Sequence, residues 1–452
     1  MGHLDWLFSV FERNTLKPFM IWQNRSFCYS WLLDAVRRYS REFDRDGIQQ
    51  GAVTALRGDY SPDIVAALLA LIDRRAIIVP LSPAVTTQEP EFLEIAEVQC
   101  IVSFEGEAVN IDCQARELQH PLYLELAARG SPGLVLFSSG STGKSKAALH
   151  DVARLLGKFK TPRRSMATLT FLMIDHIGGF NTLFYVLSNA GTVIVSPSRD
   201  PQVVCATIAR HKVELLPTSP TFLNLLVLSE AYRQYDLSSL KLITYGTEMM
   251  PKRTLDRIAE IFPSTELLQT YGLSEIGILR SKSEKADSLW VKVGGEDYQT
   301  RVQNGTLWIK AQSAMLGYLN APSPFDEEGW LDTGDLVEVQ GDYIRFLGRR
   351  SEVINVGGLK VYPAEIEDVL LSISNVRDVV VIGGTHPITG NIVIAQFNLI
   401  EAEEPSAFRQ RVREFCRGRL EPFKMPARIE IVNGDQFSKR FKKMRNLPVP
   451  SD

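Results

Sequence analysis

The chain has 452 residues, of which 45% are apolar and 23% charged, with a net charge of −3. That length implies more than one hydrophobic core, and the near-neutral balance excludes a general affinity for nucleic acid or anionic membrane. The longest apolar run, Ile64 to Ile72, is too short to span a bilayer and is closed by Asp73, Arg74 and Arg75.

Near the start, Asp5 and Glu12 stand where a basic leader segment would need positive charge, so no signal peptide is expected. Trp6 occupies the position where a myristoylation signal needs Ser or Thr. The spacing of Trp31, Leu32, Val36 and Phe43 predicts a helix over 30–43. Residues 52–56 read as a strand. Ser61, Pro62 and Asp63 carry capping chemistry that opens an apolar helix at Ile64, and 76–81 read as a second strand. This alternation predicts parallel sheets covered by helices on both faces. Five widely spaced cysteines, Cys28, Cys100, Cys113, Cys205 and Cys416, show no metal-ligand spacing and read as reduced thiols of a cytosolic protein.

The strand 134–137 runs into Ser138-Ser139-Gly140-Ser141-Thr142-Gly143-Lys144-Ser145-Lys146. Its glycines free the backbone, its hydroxyls donate and its lysines bring positive charge, a combination suited to a polyphosphate. A P-loop is excluded by spacing, since only Ser141 and Thr142 separate Gly140 from Gly143. Next, 168–174 read as a strand followed by Asp175, His176, Ile177, Gly178 and Gly179. A histidine at a strand end before a glycine pair sits where sheet proteins face their ligands. Strands are expected at 192–196, 213–216, 240–244 and 267–270, and helices from Pro201 and Thr221. The last two strands lead into Tyr245-Gly246-Thr247-Glu248 and Tyr271-Gly272-Leu273-Ser274-Glu275. Tyr271 offers a flat face for a purine, and Glu275 a hard oxygen ligand for Mg²⁺ beside phosphates.

In Gly329-Trp330-Leu331-Asp332-Thr333-Gly334-Asp335, a turn at Thr333-Gly334 is expected to present Asp335, whose carboxylate can accept from two ribose hydroxyls. There follow Gly348-Arg349-Arg350-Ser351, the pair Gly357-Gly358, and a helix opening around Pro363 with Glu365 and Glu367 in its first turns. Strands at 376–382 and 392–399 and a helix over 405–420 complete a compact α/β unit. The chain then carries the basic run Lys439-Arg440-Phe441-Lys442-Lys443-Met444-Arg445.

Taken together and in this order, these segments resemble the acyl-adenylate-forming superfamily, which holds the acyl-CoA synthetases, firefly luciferase and the adenylation domains of nonribosomal peptide synthetases. The resemblance implies an α/β fold with a large N-terminal domain of α/β sheets with helices (1–347) and a small mobile C-terminal α/β domain (348–452). It implies ATP-dependent activation of a carboxylic acid to an acyl-adenylate, then transfer to a pantetheine thiol, with ATP, Mg²⁺ and CoA (or a carrier protein's phosphopantetheine) as cofactors. Loading of a carrier protein or amine, and an inactive nucleotide-binding homologue, are the alternative readings.

By the same resemblance, Ser138, Ser139, Gly140, Ser141, Thr142, Gly143 and Lys146 cradle phosphates. Gly246, Thr247, Glu248, Tyr271, Gly272 and Ser274 hold the nucleotide, and Asp335 and Arg349 hold its ribose. Glu275 holds the metal, and His176 gates the acyl pocket with Gly178, Tyr245, Gly246 and Gly272 as further walls. The His176-Ile177-Gly178-Gly179 run looks more like aryl- and acyl-CoA synthetases than amino-acid adenylation domains. Ser351 takes the hinge position, and Gly357 and Gly358 line a thiol tunnel. Lys442 is the catalytic lysine, although Phe441 replaces the usual glycine before it, and Lys439 and Lys443 are alternatives. The partners implied are a small carboxylic acid and CoA or an acyl carrier protein, in the cytoplasm, with no integral membrane segment.

Overall fold

The computed structural model describes residues 2–106, 108–139, 145–387, 389–434, 436–438 and 443–445. The calls on Gly140, Ser141, Thr142, Gly143, Lys144, Lys439, Arg440, Phe441 and Lys442 lie outside the described residues.

The helix Pro62–Asp73 forms as its capping chemistry requires: the Ser61 hydroxyl accepts from the Ile64 N–H at 3.2 Å, and Pro62 fits the first turn. Its side chains from Ile64 to Ile72 are all buried, so it is a core helix rather than an amphipathic surface one. It packs beside the helix Tyr29–Arg45. These helices and Ile177–Ser188 contribute to one large apolar cluster.

Two seven-stranded sheets make up most of the large unit. One holds Val53–Arg57, Ile77–Leu81 and Gly133–Ser139 in parallel, with Ser145–Asp151 antiparallel to the last. The other holds the parallel strands Ala167–Leu169, Leu215–Thr218, Leu242–Tyr245 and Glu266–Gln269. A six-stranded antiparallel sheet follows, and it includes Leu331–Gln340 and Tyr343–Arg349. The expected boundary at Leu347 thus falls inside a strand that runs to Arg349. The small unit is a five-stranded sheet with the helices Pro363–Leu370 and Pro405–Cys416 around their own apolar cluster.

Three local expectations are corrected. The strand expected over 168–174 is only Ala167–Leu169; the chain then leaves the sheet, and His176 caps a helix instead of ending a strand. Gly179 explains the tight path: a Cβ there would lie 1.8 Å from the Met173 carbonyl oxygen. Thr333-Gly334 is not a free turn but the interior of Leu331–Gln340, where Gly334 takes φ +70° and the pairing register shifts between Leu336 and Val337. Finally, the cysteines are not all free thiols. Cys100 and Cys113 face each other across the antiparallel pair Cys100–Glu105 and Ala108–Cys113 and are joined by a disulfide.

That bond closes a loop with a sequence separation of 13, for which loop entropy alone is worth about 3 kcal/mol. Adding a thiol reductant, or substituting Cys113→Ser, is therefore expected to lower the unfolding temperature of the large unit in calorimetry. An unchanged thermogram would show that the bond contributes nothing to stability.

Candidate active site between the two units

A cavity of about 890 Å³ opens between the large and small units. Of the residues assigned to nucleotide and ribose, Thr247, Glu248, Tyr271, Gly272, Asp335 and Arg349 line it, as does Lys443. The bulged strand Leu331–Gln340 sets Asp335 directly opposite Arg349 of Tyr343–Arg349. Arg349 Nε lies 3.3 Å from Asp335 Oδ1, while the Tyr271 hydroxyl donates to Asp335 Oδ2 at 2.6 Å. The Tyr271 ring stacks on Phe346 at 4.7 Å. Burial and the neighbouring carboxylate push the Tyr271 phenol well above its ordinary range, so it stays a proton donor. An aromatic face, a buried carboxylate and a guanidinium, 78 residues apart at their extremes by number, are thereby made one rigid group.

Glu275 sits at the tip of a tight hairpin, Gly272–Leu273 with Gly277–Ile278, in which Gly277 takes φ +81°. A left-handed glycine closing a three-residue connection is a common hairpin solution. It replaces the strand-to-helix junction that such a pentapeptide otherwise suggests. Gly272 is required by packing, since a Cβ would lie 2.6 Å from the Gly277 carbonyl oxygen. The Glu275 carboxylate accepts a hydrogen bond from Tyr318, and its backbone carbonyl accepts from the Met315 N–H at 2.8 Å. Lys146 Nζ lies 5.2 Å from the centre of the Tyr318 ring. Among the described residues no group of three or more His, Cys, Asp or Glu side chains is arranged to hold a metal. A single carboxylate still suits Mg²⁺, which keeps several waters and takes its remaining ligands from substrate phosphates.

The phosphate segment joins an antiparallel pair, Gly133–Ser139 with Ser145–Asp151, whose register reaches Ser138 opposite Lys146 and Ser139 opposite Ser145. Downstream on the same strand, His150 is fully buried, and burial pushes its imidazole down to about 4, so it is neutral. His176 Nδ1 accepts from the Gly178 N–H at 3.1 Å, fixing the ring at the helix start. His176, Ser138, Lys146, Ser274, Glu275 and Gly246 are not on the cavity wall itself. Gly246 is a close-packing residue, with a hypothetical Cβ 2.6 Å from Thr270 Oγ1. Thr247 takes φ +74°, a costly conformation for a β-branched side chain.

Glu248 is a joint between the two units. Its carboxylate accepts from the Thr221 N–H at 2.7 Å and from the Lys443 N–H at 3.0 Å, and burial raises its pKa. The Lys443 ammonium turns into the small unit, 2.8 Å from the Val379 carbonyl oxygen and 3.2 Å from Asp378 Oδ1. Glu367 adds a salt bridge to Lys443 at 3.5 Å and is also gripped by Arg445. Despite desolvation, these two cations hold the Glu367 carboxyl below its ordinary range. In this arrangement Lys443 is therefore held as a structural cation of the small unit.

Gly357 and Gly358 lie outside the cavity wall, at the tip of the hairpin Ile354–Val356 with Leu359–Val361. Their φ values, +57° and +88°, are those a two-residue hairpin turn demands. Sequence reading missed Tyr318, Thr221 and Asp378. Each acts on a residue far away in the chain, and nothing in its immediate neighbours marks it.

Comparison with known proteins gives the same picture. The profile described as "AMP-binding enzyme" matches residues 8–319, and that described as "AMP-binding enzyme C-terminal domain" matches 365–442. The chain is 25% identical over 468 aligned positions to indoleacetate–CoA ligase of Aromatoleum aromaticum, covering 90% of each. It is 25% identical to the peroxisomal OPC-8:0-CoA ligase 1 of Arabidopsis thaliana, covering 91% of this chain and 85% of that one. In fold it is similar to the anthranilate CoA ligase AuaEII in complex with anthranoyl-AMP, with TM-score 0.81, 19% identity, and 98% and 95% of the two chains covered. It is likewise similar to the o-succinylbenzoate CoA synthetase of Bacillus subtilis in complex with ATP and magnesium ion, with TM-score 0.77, 21% identity and 98% of each covered. With profiles matched across both units, the chain belongs to the AMP-binding enzyme family, the acyl-adenylate-forming ligases.

Proposed function

We propose that the cavity between the two units is where an aryl- or acyl-type carboxylic acid is joined to AMP and then to the thiol of CoA. The chain is an AMP-forming acid–thiol ligase. In the first half-reaction a carboxylate oxygen attacks the α-phosphorus of ATP, the bond to the β-phosphate oxygen breaks, and pyrophosphate leaves. In the second, a thiolate attacks the acyl carbon, and AMP leaves with the carboxylate oxygen. No base is required for the first attack, because the acid is already ionised near neutral pH.

The observation that carries this reading is the Tyr271–Asp335–Arg349 group on the cavity wall. Asp335 supplies a carboxylate for ribose hydroxyls beside a cation and a purine-sized aromatic face. The loop from Ser138 to Lys146, with Thr142 at its centre, takes the phosphates. Gly246, Thr247, Glu248 and Ser274 border the nucleotide. Glu275 is the residue that would hold Mg²⁺, which when bound offsets phosphate charge. His176, at the start of Ile177–Ser188 and off this cavity's wall, would gate the acyl pocket beyond it, and Lys442 would act on the reacting phosphate during adenylation. The small domain, 348–452, turns about Ser351 between the half-reactions and brings Gly357 and Gly358 to the pantetheine arm. The names of the similar ligases, indoleacetate and anthranilate among them, favour an aromatic acid. A cytoplasmic setting follows from pools of ATP and CoA; the Cys100–Cys113 bond is the observation that bears against it.

Pyrophosphate release measured over short, medium-chain, aromatic and amino acids tests the reading. Aromatic acids are expected to give the highest rates, with a CoA thioester as product. Hydroxamate trapping that is unaffected by CoA but relieved by a carrier protein would transfer the second step to that acceptor. No release with any acid would end the proposal.

A further inference from the structure

The strand Ser145–Asp151 carries Lys146, Ala148 and His150 on one face, because successive side chains alternate. Ala148 packs against Met315 and Tyr318. Lys146 Nζ lies 5.2 Å from the centre of the Tyr318 ring, and the Tyr318 hydroxyl donates to Glu275 Oε1. The short strand Gly317–Tyr318 pairs with this same strand, Tyr318 opposite Ala148, which fixes the ring between the two charged groups. Met315 holds the other side of the Glu275 residue through its backbone. One tyrosine thus touches the end of the phosphate segment with its ring face and the hairpin carboxylate with its hydroxyl.

We propose that Tyr318 is the positioning residue that aims Glu275 at its metal ion and keeps it in register with Lys146, a role that rests on the reading of Glu275 as the metal carboxylate. The hydroxyl is committed to one carboxylate oxygen, Oε1, and so fixes the orientation of the group. The ring face meanwhile attracts the Lys146 ammonium. Phosphate segment and metal carboxylate are thereby tied to one rigid side chain, and their spacing does not depend on the substrate to assemble it.

The test uses the full chain with α,β-methylene-ATP, whose α–β bridge cannot be cleaved, and Mn²⁺ binding read by electron paramagnetic resonance. Tyr318→Phe keeps the ring and removes the hydroxyl. It is expected to weaken Mn²⁺ binding by roughly 10-fold, the lower end of what loss of a ligand's hydrogen-bond partner costs, with the unfolding temperature and the metal-free affinity for the analogue unchanged. Tyr318→Leu removes the ring as well and is expected to weaken metal-free analogue binding too, through Lys146. Glu275→Gln is the control. If it loses Mn²⁺ binding while Tyr318→Phe binds as wild type, the positioning role is overturned and Glu275 stands. If Glu275→Gln also binds as wild type, the metal reading falls and this proposal falls with it.

Discussion

Lys442→Ala is expected to slow acid-dependent pyrophosphate exchange by roughly 10²–10³, the cost of removing one group that offsets transition-state charge. Thioester formation from preformed adenylate should change far less, because that step develops charge at the acyl carbon and not at phosphorus. The contrast with its neighbour is the informative part. Lys443 is fixed between Asp378, Glu367 and the Val379 carbonyl. Lys443→Ala removes one partner from this buried set and is expected to destabilise the small domain by about 3–5 kcal/mol. The two variants should therefore separate cleanly: one folded and slow, the other unstable. The same buried set has a pH signature. Glu367 is held below its ordinary value, so its unfolded form takes up protons first as the pH falls. Its contribution is complete above about 4.5, the ordinary glutamate value, and is lost as the pH drops through the lower folded value. A Lys442→Ala enzyme that exchanges pyrophosphate at the wild-type rate would remove this lysine from the chemistry.

Asp335→Ala should lower kcat/KM for ATP by about 10²–10⁴, as expected for losing two hydrogen bonds to a charged group at about 1.5–3 kcal/mol each. The substitution also strands the Tyr271 hydroxyl and leaves Arg349 without its carboxylate at 3.3 Å. The discriminating measurement uses 2′-deoxy-ATP. The wild-type enzyme should prefer ATP by about tenfold or more, one charge-assisted bond's worth, and Asp335→Ala should barely distinguish the two. If the variant keeps the preference for the ribose hydroxyl, the carboxylate is not what reads it.

Much of the architecture was legible in order along the chain. Ser61 with Pro62, the apolar run to Ile72 and the acidic first turn at Pro363 are local signals, and local signals survive into the fold because capping and burial act over a few residues. The segments around Ser138, Tyr271, Asp335 and Arg349 were likewise visible as runs of neighbours. Elements misread from sequence failed for a physical reason too. Thr168 to Ile174 is apolar enough for a strand, yet Met173 must approach Gly179 so closely that the chain leaves the sheet early. Gly357-Gly358 is different: the pair reads as made for ligand approach, and both residues also meet the φ demands of their own turn.

By itself, the order of residues determined the family, the division into a large and a small α/β unit, and the residue types able to hold a nucleotide and activate an acid. Only the tertiary structure decided which side chains hold one another: Asp335 with Tyr271 and Arg349, Glu275 with Tyr318, Glu248 with the Lys443 backbone, and Cys100 with Cys113. Hydrogen bonds, salt bridges and disulfides depend on distance in space. Strand register and the packing of the two units set those distances, even for Cys100 with Cys113 and Asp335 with Arg349, which lie within single hairpins.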